Sequence, residues 1–381
     1  MTAALVRTLG DFDLAEELVQ ESLLEALEHW PKDGIPQRPG AWLLVTARRK
    51  GLDRLRREAR YREKLALLEG DVMSVDTAEG DDRLRLIFTC CHPALPRDAQ
   101  VALTLRAVAG LTTTEIARAF ITNEATIAQR IVRAKRKIVE ANIPYRVPNE
   151  SEMAERVNEV FSVLYLMFNE GYLATTGDRA SRRDLAEDAA WLAGLMVRLM
   201  PEEAEAIGLL ALMRLHLARS DARFDAAGNL VLVQDQDRSR WDQERISSAL
   251  ALLGRAGQLR RPGPYQLQAA IAACHAEAAS WRETDWQQIV ALYDSLLQYL
   301  PSPVVQLNRA IALRYLRGAA AALAEVDDLE WALENYYLFH ATRAELLREL
   351  GHLKEADAAV RRALDLTTNP AERALLQNRL I

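Results

Sequence analysis

Several groups of side chains in this chain carry chemistry that a plain helical core does not need. Asp11, Asp13, Glu16, Glu17, Glu21, Glu25 and Glu28 form a run of carboxylates with no Lys or Arg among them. Carboxylates at helical spacing serve general acid/base catalysis when a nucleophile or a pocket accompanies them. No nucleophile pattern lies beside this run, so it reads as a protein-docking surface. Cys90-Cys91-His92 offers sulfur and nitrogen ligands. Zinc, however, takes three or four ligands, usually in Cys-x-x-Cys or His-x-x-x-His spacing, and the sequence holds no second cluster. These residues read as buried structural cysteines. Cys274-His275 has the residue types of a thiolate–imidazole pair, but neighbours on a helix point about 100° apart, and an orienting third residue is missing. Neither Gly-x-Gly-x-x-Gly nor a P-loop occurs. The expectation is a protein that is no enzyme and takes no metal and no cofactor.

The remaining chemistry is phosphate chemistry. Arg48 to Lys64 carries nine bases against Asp53, Glu58 and Glu63, and Arg130 to Lys137 carries five bases and no acid. Between them Glu69 to Asp82 has six acids and no base. Segregated blocks on successive helices predict separate surfaces for separate charged partners. Two basic surfaces divided by an acidic stretch point to nucleic acid.

These side chains must be positioned by helices. Apolar residues recur at helical spacing almost throughout, Ala and Leu dominate, and β-branched alternation is nearly absent, which predicts an all-α protein. The exception is Arg223 to Gln234, where Gly228-Asn229 precedes Leu230-Val231-Leu232-Val233 and fits a short hairpin or extended loop. Breaks at Pro31 to Pro39, at Gly70 to Asp82 and at Pro144 to Pro148 divide the chain. The expected modules are 1–64, an acidic linker 65–82, 83–141 and 142–381.

Within the first module, a helix over Leu14 to Trp30 should bury Leu14, Leu18, Leu24 and Leu27 and expose its carboxylates. A second helix, Ala41 to Arg60, should turn Trp42, Val45, Leu52 and Leu55 inward and Arg48, Arg49, Lys50, Arg54, Arg56 and Arg57 outward. Leu111 to Ile138 reads as a helix-turn-helix. Thr112-Thr113-Thr114-Glu115 offers a capping box, a short helix ends near Phe120, and Thr122-Asn123-Glu124 can cap the next. There Ile127, Ile131, Ala134 and Ile138 share one face, while Gln129, Arg130, Arg133, Arg136 and Lys137 lie opposite. A recognition helix needs this division between an apolar anchor and a polar reading face.

The chain has 381 residues and a formal charge of -6, enough length for two or three domains. Three cysteines, two of them adjacent, make no disulfide framework and predict a reducing, cytoplasmic setting. Neither a signal peptide nor a membrane-length apolar run is legible. Toward the C-terminus, Arg309–Val326 aligns with Arg343–Val360 at a shift of 34. The matches include Ala310/Ala344, Leu313/Leu347, Ala322/Ala356 and Val326/Val360, and Ala276 and Ala278 fit one period earlier. Thirty-four residues is the period of tetratricopeptide (TPR) helix pairs.

Taken together, Leu14-Ala15-Glu16-Glu17-Leu18-Val19-Gln20-Glu21, Ala41-Trp42-Leu43-Leu44 and Leu52-Asp53-Arg54-Leu55-Arg56-Arg57 resemble region 2 of extracytoplasmic-function (ECF) sigma factors of the sigma-70 family. The helix-turn-helix with Val132-Arg133-Ala134-Lys135-Arg136 resembles their region 4. Phe168-Asn169-Glu170-Gly171-Tyr172, Asp235 to Trp241 and Pro262 to Ile271 resemble the TPR-like extension of one ECF subgroup. The resemblance implies that Glu17, Gln20 and Glu21 face the β′ clamp helices of core RNA polymerase. It implies that the Trp30 to Pro39 loop captures a flipped base of the -10 element of promoter DNA, and that Arg48, Arg49, Lys50, Arg54, Arg56 and Arg57 hold that element. Thr126, Gln129, Arg130, Arg133, Arg136 and Lys137 would serve the -35 element, the acidic linker would thread a channel built for polyphosphate, and a regulatory protein could meet the TPR-like module. Two departures stand out. Arg49 occupies a position where many such factors have Asn, so the -10 preference is this chain's own. Only Met1 to Leu9 precede the acidic helix, where region 2 begins with a further helix, which predicts an upstream start or an incomplete bundle.

Two other readings stay open at this point. One is a one-component helix-turn-helix regulator with a TPR sensor, which would bind DNA indifferently to polymerase. The other is a hydrolase using Cys274-His275.

Overall fold

In the computed structural model the chain is helical, and it describes residues 1–9, 11–57, 78–120, 122–172, 179–225, 230–367 and 370–378. Among these residues the one β-type pairing is a single antiparallel bridge, Phe224 to Leu230, within the segment expected to be a hairpin or loop. The chain divides into two compact units, Met1–Leu166 and Met167–Ile381.

The first unit opens with α1 (Thr2–Leu9), α2 (Phe12–Asp33) and α3 (Pro39–Arg57). The eight residues of α1 form a helix in which Ala3, Leu5, Val6 and Leu9 are buried, and α1 packs on both α2 and α3. Asp11 caps α2 by accepting from the amides of Asp13 and Leu14. The helix runs through Pro31 rather than breaking there, and Gly34, at φ +85°, closes it by donating its N–H to Trp30.

The inward faces differ from those the apolar pattern predicts. The buried stripe of α2 is Phe12, Ala15, Leu18, Ser22 and Ala26, whereas Leu24 and Leu27 are 61% and 73% exposed. On α3, Val45 is 65% exposed while Thr46 and Ala47 are buried. The physical reason is close approach. A β-carbon on Gly51 of α3 would lie 2.9 Å from the Leu18 Cδ1 of α2, so Leu18 fills the space that Gly51 leaves, and with Ala15, Ser22 and Ala26 it takes the inner face that Leu24 and Leu27 do not reach. Trp42 is half-buried and meets Trp30 edge to face at 5.6 Å.

Then follow α4 (Ala78–Cys90), α5 (Arg97–Thr104), α6 (Thr113–Ala119), α7 (Glu124–Glu140) and α8 (Glu150–Tyr172). The final residues of the expected acidic linker, 78–82, are thus helical. The Asp82 side chain is buried and salt-bridged to Arg7 at 3.4 Å and Arg85 at 3.7 Å. Residues 65–77 of the linker lie outside the described residues. From α5 the backbone passes into a π turn, Leu105–Ala109, which Gly110 ends at φ +82°.

The second unit contains α9 (Arg179–Leu199), α10 (Ala204–Leu217), α11 (Gln243–Gln258), α12 (Pro264–Glu277), α13 (Trp286–Tyr299), α14 (Pro303–Arg317), α15 (Ala319–Asp327), α16 (Glu330–Leu333), α17 (Tyr337–Glu349), α18 (Leu353–Leu366) and α19 (Pro370–Gln377). The 34-residue repeat is real in three dimensions for the pairs α14–α15 and α17–α18. Ala310 and Ala344, Leu313 and Leu347, Ala322 and Ala356, and Val326 and Val360 are all buried at matching places. One period earlier the register fails. Ala276 and Ala278 are only half-buried, and a short 3-10 turn, Trp281–Glu283, is inserted between α12 and α13.

The three segments that resemble a subgroup extension are interhelix clamps. Glu205 accepts from the amides of Tyr265 (2.9 Å) and Gln266 (3.1 Å), so it caps α12 where Gly263 supplies no side chain. Gly208 of α10 admits α12 at close range, since its β-carbon would stand 2.8 Å from the backbone nitrogen of Gln266. Arg238 closes the other end of α12 by donating to the carbonyls of His275 and Ala278. Arg223 likewise donates to Tyr172, the last residue of α8, and its guanidinium lies 3.9 Å from the centre of that ring.

Candidate nucleic-acid interface

The helix-turn-helix forms as the sequence predicts, and each local signal has a bond to show for it. The Thr112 amide donates to Glu115 Oε2 at 2.7 Å while the Glu115 amide donates to Thr112 Oγ1 at 3.2 Å, a reciprocal capping box. Asn123 caps α7 through Thr126, whose amide donates to Asn123 Oδ1 at 2.7 Å and whose hydroxyl donates to the same oxygen at 2.8 Å. Ile127, Ile131, Ala134 and Ile138 are buried, and α7 packs on α5 and α6. Gln129, Arg133, Arg136 and Lys137 are exposed. Arg130 is half-buried and salt-bridged to Asp98 at 3.0 Å, and Arg136 pairs within its helix with Glu140 at 2.6 Å.

The other basic surface meets the acidic one instead of standing apart from it. Arg54 lies 2.7 Å from Glu17, Lys50 3.5 Å from Glu21 and 2.9 Å from Glu25, and Arg49 3.2 Å from Glu25. As the number rises along α3 it falls along α2, so the two helices are antiparallel and their charges interdigitate. The Lys50 ammonium bound to Glu25 holds that carboxyl below its ordinary range, and Glu25 in turn raises Lys50. Periodicity within one helix could not have found this pairing. Gln20 is exposed beside Leu24 on the outer face of α2, and Arg48 is half-buried. The side chains of Arg56 and Arg57 lie outside the described residues, although their backbone closes α3.

A third set of ion pairs joins the halves of the first unit. Lys135 of α7 reaches Asp13 at 2.6 Å and Glu16 at 3.2 Å on α2, and Arg106 in the π turn approaches Glu16 at 3.7 Å. The Tyr145 hydroxyl lies 2.8 Å from the Ala3 carbonyl and 3.2 Å from that of Asp82.

The cysteines do not form reactive sites. Cys90 and Cys91 are fully buried, and burial pushes their thiols up, that of Cys91 to about 12. Cys274 is pushed up to about 11 by burial, and its thiol faces Gln288 Oε1 at 3.5 Å. His275 is lowered by burial to about 4 and stacks on Trp281. A thiol held protonated beside an imidazole held neutral is no ion-pair nucleophile. Among the described residues, none cluster in a way that could hold a metal, and no helix is long and apolar enough to cross a membrane.

Comparison with known proteins gives the arrangement a family. Family models described as Sigma-70 region 2 and Sigma-70, region 4 match residues 2–61 and 85–138. The ECF RNA polymerase sigma factor SigK of Mycobacterium ulcerans (strain Agy99) is 33% identical over 138 residues, which are 34% of this chain and 73% of SigK. The chain belongs to the ECF sigma factors. Within this sigma factor the region 2 match takes in α1, α2 and α3, and the region 4 match takes in the capping box and all but the last two residues of α7. A probable ECF sigma factor, SigI of Mycobacterium tuberculosis (strain CDC 1551 / Oshkosh), is 33% identical over 146 residues, 36% of this chain and half of SigI. A family of unknown function (DUF6596) matches residues 156–257, and an uncharacterised protein of Rhizobium meliloti (strain 1021) is 44% identical over 390 residues, 99% of this chain and 92% of that protein.

Proposed function

We propose that this sigma factor docks on the β′ clamp helices of core RNA polymerase through the outer face of α2, using Glu17, Gln20 and Glu21. The same face carries Leu24 and Leu27, and apolar side chains ringed by polar ones mark a protein-docking surface. Arg48, Arg49, Lys50, Arg54, Arg56 and Arg57 then hold the -10 element. Thr126, Gln129, Arg130, Arg133, Arg136 and Lys137 serve the -35 element, with the exposed members reaching the major groove. The chain performs no catalysis of its own.

The observation that carries this reading is the division of α7 into a buried apolar stripe and an exposed basic face, on a helix-turn-helix whose two caps are both made. The ion pairs of α3 and α7 support an ordered exchange. Carboxylates of α2 neutralise cations in the free protein, and polymerase and DNA take over the two sides on assembly. The second unit modulates this exchange. Run-off transcription with core polymerase tests the proposal. A promoter-dependent transcript that is lost in Leu24→Asp, while -35 duplex binding is kept, supports it. DNA binding unaffected by core polymerase, with no transcript, would sink it in favour of a one-component regulator.

A further inference from the structure

The second unit holds a cavity of about 310 Å3 whose walls come from well-separated parts of the chain. Trp281 belongs to the turn that breaks the 34-residue register, Tyr315 to α14, Tyr337 and Leu346 to α17, and Leu376 to α19. A strap, Leu230 with Leu232 to Gln234, completes the lining. The strap is fastened by the Val231 amide donating to the Arg223 carbonyl at 2.8 Å and by Gln236 Nε2 donating to the Val231 carbonyl at 3.0 Å. The volume falls at the lower end of small-ligand sites, roughly 300–1,000 Å3, and an apolar lining with a few convergent polar groups is their usual composition.

Charge and aromatic faces specify the class of ligand. Arg314 is the cation in the lining, and its guanidinium is bracketed by Glu349 at 2.6 Å and Glu345 at 3.2 Å, so two carboxylates already match it. Glu372 adds a further negative charge, held in place by the Thr367 hydroxyl, which donates to it at 2.6 Å. The Tyr337 hydroxyl also donates to it, and the neighbouring Arg373 turns its guanidinium to the carbonyls of Leu364 and Thr367 at the end of α18. Trp281 and Tyr315 are backed by Trp286, edge to face at 4.7 Å and stacked at 4.1 Å. Fixed aromatic faces beside carboxylates attract cations and repel anions.

We propose that this cavity binds a small apolar amine, an aliphatic or aromatic body ending in an ammonium, with the ammonium directed to Glu345 and Glu372 and the body against Trp281, Tyr315 and Tyr337. The site stands independently of how the first unit meets polymerase and DNA.

A matched trio of probes tests it on the full chain: 4-phenylbutylamine, 4-phenylbutan-1-ol and 4-phenylbutanoate, measured by calorimetry at neutral pH. The amine is expected to bind one to one and about tenfold or more tighter than the carboxylate, with the alcohol between them. Glu345→Gln and Glu372→Gln each lower the amine's affinity about three- to tenfold and leave the alcohol's unchanged. Ala341→Phe, which fills the cavity, removes binding of all three. If that variant misfolds by circular dichroism, the two Gln variants decide. Carboxylate binding as tight as the amine's, amine binding indifferent to both Gln substitutions, or no binding of any probe up to about 5 mM would overturn the proposal.

Discussion

Lys135 and Asp13 stand 122 residues apart in the chain and 2.6 Å apart in space, Nζ to Oδ1, with Glu16 completing the contact at 3.2 Å. The Lys135 side chain is largely covered while Asp13 is open to solvent, so the shielded part of this tie between the recognition helix and the acidic helix is the contact with Glu16. Lys135→Ala is expected to lower the stability of the first unit by about 1 kcal/mol, and Lys135→Glu to lower it further. Urea unfolding reads the first effect. A faster tryptic cut in Lys135→Glu than in Lys135→Ala reads the second.

The proposed function gives the exposed face of α7 two different demands on DNA. Arg133→Ala is expected to cost about 1–3 kcal/mol on the preferred -35 duplex and little on a scrambled one. Lys137→Ala should weaken both alike and flatten the salt dependence by about 0.9 in log–log slope. Fluorescence anisotropy on the two duplexes over a salt series separates these outcomes.

The helix-turn-helix was legible in the sequence because its signals are local: Thr112 with Glu115, and Asn123 with Thr126, are bonds between near neighbours. The inner face of α2 was not. A run of leucines suggests an apolar side, but α2 buries Phe12, Ala15, Leu18, Ser22 and Ala26 and leaves Leu24 and Leu27 exposed. The meeting of Glu25 with Lys50 depends on an antiparallel turn between helices, and the cavity depends on where an inserted turn delivers Trp281. Both are long-range facts that no single window contains.

His275 gives the second unit a pH dependence of definite sign. Burial lowers it from 6.5 to about 4, with Arg219 and Arg238 adding to the effect. Below about 6.5 the unfolded chain takes up a proton that the folded protein refuses. Stability therefore falls as pH drops from 6.5 toward 4, by about 1–3 kcal/mol for this residue. His216, lowered by burial in the same direction, steepens the slope. His275→Phe should flatten the difference between denaturant midpoints near pH 7 and pH 5, and an unaltered difference would count against this.

Glu205 is a cap supplied from another helix. Removing it as Glu205→Ala strands the amides of Tyr265 and Gln266 and is expected to cost about 1–2 kcal/mol. Glu205→Gln retains an acceptor oxygen. Since burial already raises this carboxyl above its ordinary range, losing the charge should be tolerated better than losing the atom. Thermal melts of the two variants at neutral pH order them.

Gly51 acts as a socket. Its missing side chain leaves room for the side-chain ends of Leu18 of α2 and Leu9 of α1, and the Lys50 and Arg54 pairs flank that point on the same helix. A methyl group there would press first on those two flexible ends, at 2.9 and 3.2 Å, so the leucines turn before either helix has to move. The interlock of cations and carboxylates between α3 and α2 is therefore cushioned at its middle by two leucine ends, which absorb a small change of volume before any charge is displaced.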